Sequence, residues 1–355
     1  LNSLFLSKMK AVVRVKYAEK IDDYLDFKDD FPKPKLEKAD HVLIKVFAAS
    51  TNPFDVKAGK GWFSIVKNPK EPVVVCEDCA GVVIEVGDKV SCFKVGDRVV
   101  GDLDFVNEGA MGEFVSIGEK YLSKIPDNIK IKDIVGLPMA GLTSLQSLRK
   151  LGVKKGSKVV IRGASGGIGH LGVQLAKELG ASEIVAISSR VDYCKSLGAT
   201  QVVNYREEKW EEVLKGKDFD AFYDCVGGYD CWKSASEVLN SSGQYLTVNG
   251  DKPGPVNASR IFSTVTSNVN RKFWGMVSSA PYYHQFLRSI NKKDLDYLTK
   301  LVGDGKLKVV VDREFEFSLK GALDMYNYQI SGKAGGKLVM NIRDEDEEQH
   351  DDNNK

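Results

Sequence analysis

Seven consecutive residues, Gly163-Ala164-Ser165-Gly166-Gly167-Ile168-Gly169, have the composition needed to hold a pyrophosphate. They follow directly on the β-branched run Lys158-Val159-Val160-Ile161, and they open a segment with Leu171, Val173, Leu175, Ala176 and Leu179 at helical spacing. Glycines let the backbone approach phosphate oxygens closely. The unpaired N–H groups and the dipole at the start of a helix attract the anion. A glycine turn alone is an ordinary connection between a strand and a helix. The flanking strand and helix supply the context that a dinucleotide motif requires.

The end of the next predicted strand selects among dinucleotides. A site for NAD places an acidic residue about 20 positions on, against the ribose 2′-hydroxyl. After Ile187 this chain reads Ser188-Ser189-Arg190, with no Asp or Glu. A hydroxyl beside a guanidinium suits the 2′-phosphate of NADP, because Arg offers charge-assisted, paired donors. The plainer reading of Arg190 is a solvated residue at a helix start. The pattern favours NADPH as cofactor.

These groups need a scaffold, and the hydrophobic pattern supplies one. Short strands are predicted at Ser157–Ile161, Ile184–Ile187, Gln201–Asn204, Ala221–Asp224 and Gln244–Val248. They alternate with helices at Gly167–Leu179, Asp192–Leu197 and Lys209–Leu214, the signature of a doubly wound parallel sheet. Residues 9–125 read differently. Runs such as His41–Val46, Ala80–Val86 and Asp97–Val100, with turns at Gly87-Asp88 and Gly96-Asp97, predict a β-barrel-like unit. Further on, a helix is expected over Asp294–Val302. Strands are expected over Lys308–Asp312 and Gly335–Met340, the first returning toward the N-terminal region.

Composition narrows the function. Fifty-one basic and 49 acidic residues leave a net charge of +2, so no bulk field favours nucleic acid or a membrane surface. No run of about 18 apolar residues is present to form a membrane span. Six cysteines scattered through the chain predict free thiols in a reducing compartment. The segment Leu1–Lys8 is too short for a secretory signal, and Met9-Lys10-Ala11-Val12-Val13 reads as the start of a first strand. The cytoplasm is the expected location. Residues 344–355 are predicted to be a disordered acidic tail.

The chain resembles the medium-chain dehydrogenase/reductase superfamily, in its zinc-free quinone oxidoreductase (zeta-crystallin-like) branch and the plant and mitochondrial homologues there. The likeness is carried by Ala49–Lys57, Asp78–Val83, Val95–Val99, Leu137–Ser144 and Ala164–Gln174. It implies an α/β protein in two parts, a GroES-like β-barrel catalytic domain and a Rossmann cofactor domain with a doubly wound parallel sheet. The corresponding divisions are 1–127 for the first part of the catalytic domain, 128–285 for the NADP-binding domain and 286–343 for the return to the catalytic domain. By the same resemblance, Asn52 and Thr143 line the nicotinamide side of a cleft, and Arg190 and Tyr205 flank the 2′-phosphate. Val226 and Gly227, Val248, Asn249 and Gly250, and Phe273 and Trp274 run along the cofactor. Gly335 and Lys337 belong to a closing segment beside it. Homodimers are common among such proteins.

No metal is expected. Zinc-dependent relatives hold their ion with Cys, His and a second Cys or Asp. Here the segment Thr51–Asp55 has no cysteine, and the place of a Gly-His-Glu reads Val75-Cys76-Glu77. Val99–Glu119 also lacks cysteine, where a structural zinc lobe would carry four. The pair Cys76 and Cys79 departs from the branch pattern. A redox pair, half of a metal site and two small core residues are the competing readings, and the core reading is preferred because the pair lacks the partner ligands of a metal and does not open a thioredoxin-like βαβ unit. Cys225 is expected to be buried rather than reactive. Tyr282 and Tyr283 read as packing or interface residues.

Without zinc or a Ser-Tyr-Lys set, the cofactor supplies the hydride and the protein supplies position and charge stabilisation. The expected reaction is NADPH-dependent reduction of a small quinone or α,β-unsaturated carbonyl, with Asn52, Lys57 or backbone N–H groups facing the developing oxyanion. Lys57 as a proton donor, and Lys57 paired with Asp55 as structure, both stand open. Two alternatives share the architecture: a trans-2-enoyl thioester reductase, and a non-catalytic NADPH-binding protein with a redox-sensing or structural role.

Overall fold

A computed structural model describes residues 7–66, 68–103, 109–249, 254–255 and 282–345. The chain divides into two compact units. The first holds residues up to Met139, Ile290–Gly305 and Val309 onward; the second holds Ala140–Ser289 and Lys306–Lys308.

The first unit is built mainly of antiparallel strands. Leu25–Pro32, Lys8–Arg14 and Val73–Val74 form a small sheet. The larger sheet runs in the order Val311–Glu316, Lys337–Asn341, His41–Thr51, Asp78–Val86, Arg98–Asp102 and Leu122–Lys124, and Phe114–Gly118 pairs with His41–Thr51. His41–Thr51 is largely apolar and is buried along nearly all its length, as a central strand should be. Its partner from the far end of the chain pairs antiparallel, with Leu338 opposite Thr51 and Met340 opposite Ala49. One core joins Val12, Ile44, Val83, Met111, Ile117, Tyr326 and Met340, so both chain ends contribute to it. Truncating any one of the larger aliphatic members to Ala should cost about 2–5 kcal/mol. The short helix Ile131–Ile134, which the division at 127/128 gave to the cofactor domain, packs instead on strands His41–Thr51, Asp78–Val86 and Arg98–Asp102.

Among the described residues, the second unit contains a six-stranded, wholly parallel sheet. Its order is Gln201–Val203, Glu183–Ile187, Lys158–Arg162, Phe219–Asp224, Leu239–Thr247 and Tyr282–Gln285. The chain order reverses at the central strand Lys158–Arg162. In such sheets the crevice beyond the carboxyl ends at that point is where ligands bind. Phe222, Tyr245, Val160 and Val185 are fully or almost fully buried, which the near-continuous apolar strands required. Tyr283 stacks on Tyr245 with ring centres 5.7 Å apart, while Tyr282 is exposed.

One expected strand is displaced. The strand predicted at Lys308–Asp312 begins only at Val311 and runs to Glu316, parallel to Lys337–Asn341. The physical reason is that the backbone of Lys308 is already engaged. Its N–H donates to Gln174 Oε1 at 2.8 Å and its carbonyl accepts from Gln174 Nε2 at 2.9 Å, so Lys308 belongs to the second unit. The tail beyond Glu345 lies outside the described residues.

Candidate active site

In the second unit the strand Lys158–Arg162 ends in Gly163, whose φ of +76° an L side chain rarely adopts. The turn closes with Gly166 N–H donating to Gly163 O at 3.1 Å, and the helix Gly169–Glu178 follows. A Cβ on Gly169 would lie 2.2 Å from Gly163 O, so this position admits only glycine. The two glycines bring the turn and the helix start close together, a geometry able to receive an anion. Ala164, Ser165, Gly167 and Ile168 fill out the same turn. Ser165 Oγ accepts from Ser188 Oγ at 2.9 Å, which ties the cradle to the end of the neighbouring strand Glu183–Ile187.

Beyond that strand, Arg190 N–H donates to Ser188 Oγ at 3.1 Å, and the Arg190 side chain is exposed at the start of helix Val191–Ser196. Tyr205 is 55% exposed, and a hydrogen bond with Ser189, then one with Arg206, lowers its phenol pKa. Tyr205 is thus tied to Ser189, the residue just before Arg190, at the end of that strand.

Across the sheet, sequence reasoning missed a second feature. Asp224 lies level with Arg162 on the adjacent strand. Its Oδ1 accepts from Arg162 Nη1 at 3.1 Å, Val226 N at 2.9 Å and Gly227 N at 3.0 Å, and its Oδ2 accepts from Tyr245 OH at 2.6 Å. This buried carboxylate shapes the turn at Val226-Gly227, where Gly227 has φ +88°. Asn249 Nδ2 donates to Cys225 O at 3.0 Å, and Val248 N to Asp224 O at 3.2 Å, so two loops expected along the cofactor are fastened together. Cys225 is half-buried, and burial pushes its thiol well above the ordinary range. Gly250, Phe273 and Trp274 lie outside the described residues. Thr143 is nearly buried on the helix Pro138–Lys150.

In the first unit Asn52 caps the helix Pro53–Gly59, and Asp55 Oδ2 reaches back to accept its backbone N–H at 2.6 Å. The Asn52 side chain stands between two charges. Nδ2 donates to Asp78 Oδ2 at 2.8 Å, and Oδ1 accepts from Lys337 Nζ at 2.5 Å. Lys337 also donates to Thr51 O at 3.0 Å and Asp78 Oδ2 at 3.3 Å. Asp78 Oδ1 accepts from Met139 N at 2.9 Å. All four residues Asn52, Asp55, Asp78 and Lys337 are at most 5% exposed. Burial pushes the Asp55 carboxyl up to about 7; the Asn52 N–H opposes that rise and Asp78 adds to it.

Lys57 is half-buried on the same helix, with Nζ 6.0 Å from the Trp62 ring centre. Phe54, on the same helix, stacks on Phe63 with ring centres 4.7 Å apart. Gly335 is buried just before Lys337. Cys76 and Cys79 are both buried free thiols with pKa values raised first by burial, as core residues would be. Among the described residues, no group of three or more His, Cys, Asp or Glu is placed to hold a metal ion. Among them, too, no helix is long and apolar enough to cross a membrane.

Residues 38–127 match the alcohol dehydrogenase GroES-like domain, and residues 197–340 match the zinc-binding dehydrogenase family. The chain is 31% identical to the 2-methylene-furan-3-one reductase of Solanum lycopersicum, over 94% of this chain and 79% of that protein. It is 29% identical to the chloroplastic NADPH-dependent alkenal/one oxidoreductase of Arabidopsis thaliana, over 90% of this chain and 76% of that protein. The solved quinone oxidoreductase of Coxiella burnetii superposes with a TM-score of 0.80 at 30% identity, covering 95% of this chain and 100% of its own. The chain is a nicotinamide-dinucleotide-dependent oxidoreductase and belongs to the zinc-free quinone oxidoreductase branch of the medium-chain dehydrogenase/reductase superfamily.

Proposed function

We propose that the protein reduces quinones or α,β-unsaturated carbonyls with NADPH. The observation that carries this reading is the cluster at the end of strand Glu183–Ile187. Tyr205 bonds Ser189 there, Arg190 is the next residue, and the run Ser188-Ser189-Arg190 holds no carboxylate to favour a free 2′-hydroxyl. The names of the similar proteins, an alkenal/one oxidoreductase, a furanone reductase and a quinone oxidoreductase, support the substrate class.

When bound, the cofactor supplies the hydride. The protein's own residues bind and orient. The Gly163–Gly169 turn offers backbone N–H groups to the pyrophosphate, and Arg190 with Tyr205 offers donors to the 2′-phosphate. Asn52 is proposed to donate a hydrogen bond to the oxygen on which negative charge develops, a bond that its burial would make stronger than in water. The stacked rings of Phe54 and Phe63 offer a flat apolar wall to a conjugated substrate. Thr143 and Lys57 are further groups proposed to face the reacting atoms.

The test is absorbance loss of NADPH, and separately of NADH, against quinones, alkenals and enoyl thioesters. NADPH-selective turnover of quinones or alkenals is expected. Turnover confined to thioesters would move the assignment to a fatty-acyl reductase. Binding with no turnover would leave a non-catalytic protein, and a preference for NADH would remove Arg190 from the cofactor site. The protein is further proposed to act as a homodimer in the cytoplasm, whose reducing interior suits its free thiols. Sedimentation and cell fractionation test those two points.

A further inference from the structure

We infer that Lys337 and Asp78 are positioning residues that lock the Asn52 amide in one orientation and leave a single N–H of it to offer to substrate or nicotinamide. This rests on the proposed reductase activity. The resemblance places Lys337 beside the cofactor; the geometry gives it another task.

Strand register brings the groups together. Leu338 pairs with Thr51 on antiparallel strands, which sets Lys337 level with Asn52. An ammonium has three N–H donors. Those of Lys337 are committed to Thr51 O, Asn52 Oδ1 and Asp78 Oδ2, and the residue is 3% exposed. No donor is left over for a phosphate or a carboxamide.

The Asn52 amide is constrained from both sides. Its oxygen faces a cation and its nitrogen faces an anion. Rotating the amide by half a turn would set the NH2 against the ammonium and the oxygen against the carboxylate, two repulsive contacts at once. The orientation is therefore fixed. One Nδ2 proton remains beyond the bond to Asp78, and that proton can stabilise a developing oxyanion.

A stability role explains the pair less well. Lys337 and Asp78 side chains are 2% and 0% exposed, and ions so deeply buried recover their desolvation cost poorly compared with apolar residues of similar size. What an apolar pair cannot do is tell the two ends of an amide apart. Asp55 adds a further hold by accepting the Asn52 backbone N–H.

The experiment compares wild type with Lys337→Met and with the double variant Lys337→Met/Asp78→Asn. The single change leaves a buried carboxylate without its cation, and folding is at risk. The double change leaves no buried charge at that pair, while the amide introduced at position 78 can still bond the Asn52 side chain. For the folded double variant, kcat should fall about tenfold to a hundredfold, because the Asn52 amide is then free to flip. NADPH Kd, read by fluorescence, should stay within about threefold of wild type, well short of the tenfold step of one lost bond. Full kcat in the double variant would show that the pair is merely structural and overturn the proposal. A Kd raised tenfold or more at unchanged kcat would restore Lys337 to the cofactor site and also overturn it.

The ¹⁵N signal of the Lys337 ammonium in the wild-type protein gives a reading that needs no folded variant. It should not move on NADPH addition beyond the change seen for lysines on the surface, and a larger shift would contradict the assignment. If wild type turns over none of the substrates, the reductase reading fails. The NADPH affinity and the ammonium signal then still decide whether Lys337 touches the cofactor.

Discussion

The two regions that matter here are made in opposite ways. The proposed cradle of the second unit is contiguous in sequence, from Gly163 to Gly169, and would work through its backbone. The polar cluster of the first unit draws Asn52, Asp55, Asp78 and Lys337 from both ends of the chain and would work through side chains. A backbone site tolerates exchange of most side chains but not of the glycines that permit its path. A side-chain site tolerates backbone adjustment but not loss of one charge among several. Substitutions should therefore fail differently in the two places.

The largest effect should come from Gly169→Ala. The new Cβ falls 2.2 Å from Gly163 O, and backbone cannot step aside as a flexible side chain can. NADPH affinity should drop by more than about a hundredfold, and thermal stability should fall by the few kcal/mol typical of overpacking. Retained affinity, measured by titration calorimetry, would mean that the turn has another route open to it.

Next comes Arg190→Ser. Losing a charge-assisted bond is worth about 1.5–3 kcal/mol, so NADPH should bind roughly ten- to a hundredfold more weakly while NADH binding is unchanged. Equal losses for the two cofactors would show that Arg190 serves the fold or the pyrophosphate instead of the 2′-phosphate.

A smaller effect is expected from Asp55→Asn. With its carboxyl raised to about 7 by burial, Asp55 keeps its proton in the folded state over a range where the unfolded chain has lost it. The folded protein then binds more protons from about pH 4, the ordinary Asp value, up to about 7. This residue therefore makes stability fall as pH rises through that window and level off above it. An amide at position 55 can still accept the Asn52 backbone N–H and has no proton to lose. The variant's melting temperature should hold where that of wild type declines, a difference of several degrees by about pH 8. A parallel pH dependence in both proteins would assign the slope to other groups.

The same contrast explains what sequence alone revealed. The cradle was readable because strand, turn and helix lie in order along the chain and each carries its own signal. The alternation of strands and helices pointed to the parallel sheet for the same reason. Asp224 and Arg162 were missed because their pairing depends on two strands lying level across the sheet, which periodicity along one strand does not encode. Lys337 was placed by family likeness, yet its contacts follow from the pairing of Leu338 with Thr51, a register set by the whole first unit. The strand expected at Lys308 was misplaced because Gln174, from a distant helix, holds both polar groups of that backbone. In each case the missing information was a contact between distant parts of the chain.

The division of labour between the two regions is tested most directly by Asn52→Ala, with kcat and NADPH Kd measured on the same preparation. The expected result is that kcat for a quinone or enone falls about a hundredfold, the scale of a lost oxyanion donor, while Kd stays near that of wild type. An unchanged kcat, or a loss of activity explained wholly by weaker NADPH binding, would contradict it.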